Sequence, residues 1–316
     1  MAKPHQLKTD REVSSREGED AAKRLAQSHY ENFSVGSFLL PREIRQELYN
    51  IYAFCRLADD FADETAGGVS ALDMLDNWER QLNNIAGGIR AQRPDYLTRT
   101  VDSFTAHASI FTALDETIHR RKLAIQPFRD LLTAFRRDLV QTRYETWEEL
   151  LDYCHYSANP VGRLVLGVSG VKDTANFALS DNICTALQLA NHWQDIAEDY
   201  QRGRVYIPVE ILGRFGVTES ALAERKFDGQ FRDMMVELVG RTEELFTAGK
   251  PLLDQVPSFL KPQLYLYWGG GMAALAAIKA NGYDVLNNRS RVRRIDRIKL
   301  AAGALGRWVV VRGRLK

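Results

Sequence analysis

Apolar residues recur at three- and four-residue steps along most of this chain, the spacing of amphipathic helices rather than of strands. After Pro41, a good first-turn residue, Ile44, Leu48, Ile51, Cys55 and Ala58 define one face that runs into Ala58-Asp-Asp-Phe-Ala-Asp-Glu64. Phe128, Leu131, Leu132, Phe135 and Leu139 define a second stripe. Leu150 to Val168, Asp181 to Tyr200 and Met234 to Phe246 carry a third, fourth and fifth. The uncharged run from Pro262 to Ile278 contains Gln263, three tyrosine or tryptophan rings and Gly269-Gly270-Gly271. It falls short of the ~20 mostly apolar residues a bilayer span requires and is expected as a buried helix. Joints are expected at Gly67-Gly68, Gly87-Gly88, Gly203 and Gly216. With no βαβ alternation, short repeat or low-complexity linker, the pattern predicts a single all-α domain over residues 21–300. Residues 1–20 are polar, lack the apolar core of a signal peptide and are expected as a disordered tail; residues 301–316 are expected as a basic C-terminal tail.

Composition narrows the class. The 316 residues are 45% hydrophobic and 26% charged, with 42 basic against 41 acidic side chains. That balance excludes a disordered or collagen-like chain and the overall positive excess of a nucleic-acid binder, so no nucleic-acid partner is expected. Cys55, Cys154 and Cys184 are far apart and odd in number, which argues against a disulfide framework and a zinc knuckle and fits a reducing cytoplasm. The charge is uneven, however. From Asn287 to Lys316 there are ten Lys or Arg and a single acid, Asp296, so the remainder is net acidic. Arginines up to Arg297, followed by Trp308-Val-Val-Val311 and then Arg312, Arg314 and Lys316, pair positive charge with apolar anchors, as at an anionic membrane surface. Peripheral membrane association is therefore expected, with a last helix packed on the core as the alternative.

The acids are patterned as well. Asp59 and Asp63 are four residues apart, hence on one helix face, and Asp60 and Glu64 form a second pair about 100° around it. Between Arg56 and Arg80 there are seven acids and no base. In the fourth stripe Gln188, Asn191, Asp195 and Asp199 fall within an arc of roughly 60° at 3.6 residues per turn, and no base lies between Lys172 and Arg202. A solvated acidic face normally intersperses Lys or Arg four residues away. Two oxygen-only stripes without counter-ions are better explained by a hard dication, and Mg²⁺ is the usual choice when a phosphorylated substrate completes its shell.

Other chemistries have weaker support. Glu116-x-x-His119 matches half of a di-iron bundle site, but the second half is missing and Arg120, Arg121 and Lys122 mark a surface helix end. There is no G-x-S-x-G, and Cys154 and His155 are sequence neighbours rather than opposed groups. The dinucleotide and Walker fingerprints are absent.

Ile51-Tyr-Ala-Phe-Cys-Arg-Leu-Ala-Asp-Asp-Phe-Ala-Asp-Glu64 and Gln188-Leu-Ala-Asn-His-Trp-Gln-Asp-Ile-Ala-Glu-Asp-Tyr-Gln-Arg-Gly-Arg-Val-Tyr-Ile-Pro208 resemble, in order and separation, the two aspartate-rich motifs of the squalene/phytoene synthases. The likeness runs from about Gln27 to Arg294. It implies an isoprenoid-synthase helical bundle around a central cavity that holds a prenyl diphosphate, with Mg²⁺ between facing acidic stripes. Asp59, Asp63, Asn191, Asp195 and Asp199 match the metal-side positions, while Arg56, Gln188, Arg204 and Tyr206 fall where relatives contact diphosphate, with Arg291 as a further contact. Glu31-Asn-Phe-Ser-Val-Gly-Ser-Phe-Leu-Leu-Pro41 and Tyr153-Cys-His-Tyr-Ser-Ala-Asn-Pro-Val-Gly-Arg163 look most like the hydroxysqualene-forming branch of bacterial hopanoid synthesis. So does Trp193-Gln194, where condensing relatives usually read Leu-Arg. This branch implies ionisation of presqualene diphosphate and capture of the cation by water, with a functional link to other squalene-pathway enzymes. Phe33 and Tyr153 would line the cavity. Asn159, with Ser157 nearby, would position the water, unless it serves only to cap the helix break at Pro160. Head-to-head condensation to presqualene diphosphate or phytoene is the enzymatic alternative, and a helical scaffold or membrane-docking protein the non-enzymatic one.

Overall fold

The computed structural model describes residues 4–28, 39–63, 70–88, 101–288, 290, 292 and 294–314, and among these there are helices and no strand. The all-α expectation is met. The chain divides into two compact units: one of residues 1–139 and 164–170, the other of residues 140–163 and 171–316.

The first unit contains α1 (Pro4–Ser28), α2 (Arg42–Asp63), α3 (Ala71–Ala86), α4 (Val101–Arg121) and α5 (Gln126–Asp138). Its core is aromatic. Phe54 on α2 stacks on Trp78 of α3 at 5.7 Å and meets Phe128 of α5 edge-on at 5.4 Å, while Trp78 meets Phe111 of α4 at 4.4 Å. The Trp78 Nε1–H donates to the Phe54 carbonyl at 3.2 Å, so the indole's one polar group is satisfied inside the core. Ser70 and Asp73 form a reciprocal capping box that starts α3.

The expected N-terminal tail is corrected here. Residues from Pro4 onward belong to α1, which packs on α2 and α4. The contact is made by small residues rather than large ones: Ser15, Gly18, Ala22 and Ala26 recur at steps of three and four and are buried. Ser15 Oγ also donates to Glu116 at 2.7 Å, which spends that acid on helix docking. His119, its partner in the di-iron half-motif, pairs with Asp115 on an exposed helix end. A methyl group on Gly18 would lie 2.0 Å from the Ser109 carbonyl oxygen. Gly18→Ala should therefore reverse its usual sign: the helix-propensity gain of about 1 kcal/mol is outweighed by displacement of α1, for a net loss of about 1–2 kcal/mol. Urea unfolding, with faster tryptic cleavage within residues 16–24, is the check; an unchanged or raised midpoint would refute the close approach.

The second unit holds α6 (Trp147–Ser157), the first half of α7 (Asn159–Val168) and every helix after it. Its remaining helices are α8 (Thr174–Gln194), α9 (Ile196–Gln201), α10 (Val209–Phe215), α11 (Glu219–Ala223), α12 (Gly229–Gly249), α13 (Leu252–Gln255), α14 (Lys261–Ala280) and α15 (Arg294–Arg314). Thr146, Asp173 and Asp228 cap α6, α8 and α12 by accepting a backbone N–H three residues on. Close approach organises the interior. Gly249 of α12 lies against the backbone of Leu179 and Ile183 on α8, and Gly271 of α14 lies against Phe246 and Leu187.

Three boundaries differ from expectation. The third stripe is two helices, broken at Ala158, with Asn159-Pro160 opening α7 where a proline's missing N–H costs nothing. The fourth is interrupted at Asp195, whose φ −108° and ψ 15° leave helical geometry between α8 and α9. The 300/301 boundary falls inside α15, so the basic C-terminal tail is a helix, packed on α14.

Candidate active site

The second acidic motif builds a site within the second unit. At Asp195 the helix axis shifts, and one turn later Asp199 projects from α9 with its N–H still bonded to the Asp195 carbonyl at 2.8 Å. The Asp199 carbonyl accepts from the N–H groups of Arg202 and Arg204, and Gly203, at φ +81°, turns the chain between them. Left-handed backbone there suits glycine. The segment then runs back along the stretch that precedes α6: Val205 N–H donates to the Thr142 carbonyl and Val209 N–H to the Tyr144 carbonyl, both at 2.9 Å. Arg143 clamps this turn. Its guanidinium pairs in bidentate fashion with Glu219 at 2.7 and 2.9 Å, and Nη1 donates to the Gly203 carbonyl at 2.7 Å.

The folded-back segment places Tyr206 in a cluster of rings. Tyr206 stacks on His192 with centroids 3.6 Å apart and lies 5.7 Å from Tyr144 and 5.9 Å from Tyr153. Gln188, one turn before His192 on α8, reaches its Nε2 at 3.3 Å. Burial and the nearby Arg204 push the His192 imidazole down to about 3, so it is neutral at physiological pH. A small pocket beside it is lined by His192, Ile196, Asp199, Arg204, Tyr206 and Leu222.

Burial pushes the Asp199 carboxyl up to about 6, with the charge of Asp195 acting in the same direction and Arg202 and Arg204 opposing it. A dication held by these two carboxylates would relieve their repulsion. The oxygen-only donors Asn191, Asp195 and Asp199 suit a hard ion. Among the described residues no three His, Cys, Asp or Glu side chains converge into a metal centre.

The first motif lies in the first unit, on α2. Here the expected lack of counter-ions is corrected: Arg56 pairs with Asp59 at 3.2 Å and with Asp60 at 2.5 Å. A base three or four residues before the acids does what a base between them would do. Asp63 closes α2, and its side chain lies outside the described set, as do Phe33 and Arg291 altogether. Asn159 is buried, and its Oδ1 accepts from Thr185 Oγ1 of α8 at 2.9 Å, whereas the buried Ser157 Oγ has no hydrogen-bond partner. The structure thus brings together Tyr153, Gln188, Asp195, Asp199, Arg204 and Tyr206. Sequence reasoning missed Tyr144, His192 and the Arg143–Glu219 clamp; only His192, four residues after Gln188, carried a local signal.

Residues 26–296 match the family described as squalene/phytoene synthase, and the chain belongs to that family of prenyltransferase-type enzymes. It is 36% identical over 230 residues to a hydroxysqualene synthase of Sinorhizobium fredii, 72% of each chain being covered. It is 30% identical over 290 residues to a phytoene synthase of Arthrospira platensis, covering 86% of this chain and 87% of the other. The crystal structure of the squalene synthase HpnC from Alicyclobacillus acidocaldarius superposes with a TM-score of 0.77 at 42% identity, over 86% of this chain and 96% of that one.

Proposed function

We propose that this chain converts presqualene diphosphate and water into hydroxysqualene and diphosphate, in a Mg²⁺-dependent step of hopanoid or squalene synthesis. The observation that carries the proposal is the meeting, within one unit, of the repelling Asp195–Asp199 pair, Arg204 and the Tyr144–Tyr153–His192–Tyr206 cluster. Bound Mg²⁺ would supply positive charge against the departing diphosphate. Asn191, Asp195 and Asp199 offer it oxygens, and Asp59 and Asp63 are assigned the same role from the first motif. Arg204 offers a planar fork of donors to the diphosphate oxygens, and the Arg143–Glu219 clamp on Gly203 fixes the turn from which it projects. Arg56, Gln188 and Arg291 are assigned to the same group on the substrate. Phenol faces attract a carbocation through their quadrupoles, and a neutral His192 adds a ring without adding repulsion. Phe33 extends that apolar wall in this reading.

Water capture is supported by the 36% identity, over 230 residues, to a hydroxysqualene synthase. Head-to-head condensation of two farnesyl or geranylgeranyl diphosphates is the second reading, favoured by the longer alignment to the phytoene synthase. Incubation with farnesyl diphosphate, geranylgeranyl diphosphate and presqualene diphosphate, each separately and with and without Mg²⁺, decides. Hydroxysqualene formed from presqualene diphosphate without a nicotinamide supports the first reading. Presqualene diphosphate from farnesyl diphosphate, or phytoene from geranylgeranyl diphosphate, as end product supports the second, and no turnover of any of the three leaves the helical scaffold.

Asn159 is assigned to the terminating water, with the orphaned Ser157 hydroxyl as its second anchor. Asn159→Ala should lower hydroxysqualene relative to elimination products while diphosphate release is roughly preserved. Thr185→Val, which breaks the same bond but keeps the amide, should leave product ratios alone. Identical product profiles for all three proteins would confine Asn159 to joining α7 and α8. A cytoplasmic enzyme peripheral to the membrane's inner face completes the proposal, since both substrate and product carry long hydrocarbon chains.

A further inference from the structure

The last helix is packed on one side and open on the other. Leu300, Gly303, Ala304 and Arg307 hold α15 against α14. Leu300 lies so near Gly269 that an added methyl would approach it to 2.5 Å, Gly303 lies against Tyr265, and the Arg307 guanidinium sits 3.8 Å over the Tyr265 ring. Ala304 between them is 1% exposed. On the opposite side of the helix Ile298, Leu305 and Val309 are 65%, 47% and 57% exposed. Their steps of seven and four place them within an arc of roughly 40°, about 180° from the packed face. No other helix among the described residues carries more than one exposed large apolar side chain.

Single exposed apolar residues need no explanation, but an aligned row does. The row lies in the one strongly basic stretch of a chain whose remainder is net acidic. A second copy of the same face would bring those bases together, which disfavours self-association as the explanation. An anionic surface with an apolar interior accommodates both features. No described helix is long and apolar enough to cross a membrane, so the helix would lie in the interface rather than span it.

We infer that α15 docks on anionic phospholipid with Ile298, Leu305 and Val309 as its inserted residues. This rests on the peripheral association proposed above and deepens it. It also moves the anchor from the expected Trp308-Val-Val-Val311 cluster, because Trp308 is half-buried and only Val309 of the described pair joins the row.

The test is flotation of the full chain with phosphatidylcholine vesicles, with and without phosphatidylglycerol, at low and high salt. The unaltered protein should float with the phosphatidylglycerol vesicles and be released by salt. A triple variant, Ile298→Ser, Leu305→Ser and Val309→Ser, should lose about a hundredfold in partitioning. Its melting temperature and its turnover of detergent-dispersed substrate should be unchanged, because these side chains support neither the core nor the site. If the unaltered protein floats and the triple variant floats equally well, the inserted row is refuted while peripheral association survives. Failure of the unaltered protein to float with either vesicle refutes the peripheral proposal as well. Equal binding to both vesicle types refutes the anionic class, and a dimer abolished by the triple variant without any flotation assigns the row to self-association instead.

Discussion

Asp195→Asn is expected to lower turnover on the order of 10²–10³-fold while leaving the folded protein no less stable than before. The two effects diverge because this carboxylate is an electrostatic cost in the metal-free fold. Burial and the Asp195 charge push the Asp199 carboxyl from its ordinary value of 3.8 up to about 6. Above pH 6 the folded chain therefore carries a carboxylate that the unfolded chain holds more comfortably in water. Between pH 6 and 3.8 the folded chain takes up a proton that the unfolded chain does not, so this group favours folding increasingly as pH falls through that window. Asparagine at 195 keeps the side-chain shape and removes one source of the repulsion, so Asp199 titrates lower and the metal-free protein at pH 7 holds or gains stability. In the proposed function the same change removes a donor oxygen and its negative charge from the dication. Asp59→Asn should lower turnover to a similar degree without unfolding the protein, because its pair with Arg56 is half-exposed and exposed pairs contribute little to stability. Turnover at saturating and limiting Mg²⁺, beside melting curves with and without chelator, measures both. Full activity of either variant at low Mg²⁺ would remove the metal role from that residue.

Much of the fold was legible because its helices bury large apolar residues at helical spacing. The faces through Ile44 to Ala58 and Phe128 to Leu139, and the uncharged run from Pro262, lie in α2, α5 and α14. The N-terminal helix was hidden for a physical reason. Its buried face of Ser15, Gly18, Ala22 and Ala26 works by allowing backbones to approach, and small residues in a charged setting leave no apolar stripe to read. The break expected at Pro160 falls two residues earlier, at Ala158, and the break at Asp195 was not expected at all. Asp195 interrupts its helix although its neighbours Gln194 and Ile196 are ordinary helix residues, and the local sequence contains no glycine or proline to mark the kink.

The candidate site was half legible. Charge patterning singled out Asp195 and Asp199, which lie beside Arg204, and Asp59, which lies in the first unit; looking for bases only between the acids overlooked Arg56 as a counter-ion just before the first of them. Tyr144 and the Arg143–Glu219 clamp could not be found by spacing. They reach Tyr206 and Gly203 only because residues 204–209 fold back on residues 142–145 through backbone hydrogen bonds, a pairing separated by some sixty positions in the chain.

Trp193→Ala is expected to cost about 3–5 kcal/mol, the largest stability loss among the substitutions considered, and Trp193→Leu about half of that. The side chain is 0% exposed and fills the space between α8 and α12. Its Nε1–H donates to Thr242 Oγ1 at 2.8 Å, that hydroxyl donates to the Leu238 carbonyl at 2.8 Å, and the ring stacks on Trp147 at 6.4 Å. Removing the indole therefore leaves a cavity but no stranded donor, since the Thr242 hydroxyl keeps its own acceptor. The neighbouring Gln194 donates to the Ser290 carbonyl at 2.8 Å, which ties α8 to the segment leading into α15. Trp193-Gln194 stands where the family resemblance leads one to expect Leu-Arg in condensing enzymes, so it invites assignment to product choice. Its partners argue instead for packing: none of its described contacts is with the ring cluster, and Trp193 does not line the pocket beside Asp199 and Arg204. Trp193→Leu should accordingly lower the urea midpoint while leaving the product profile of the surviving folded enzyme unchanged. A change in the product formed, at full stability, would overturn this and return the pair to the determinants of specificity.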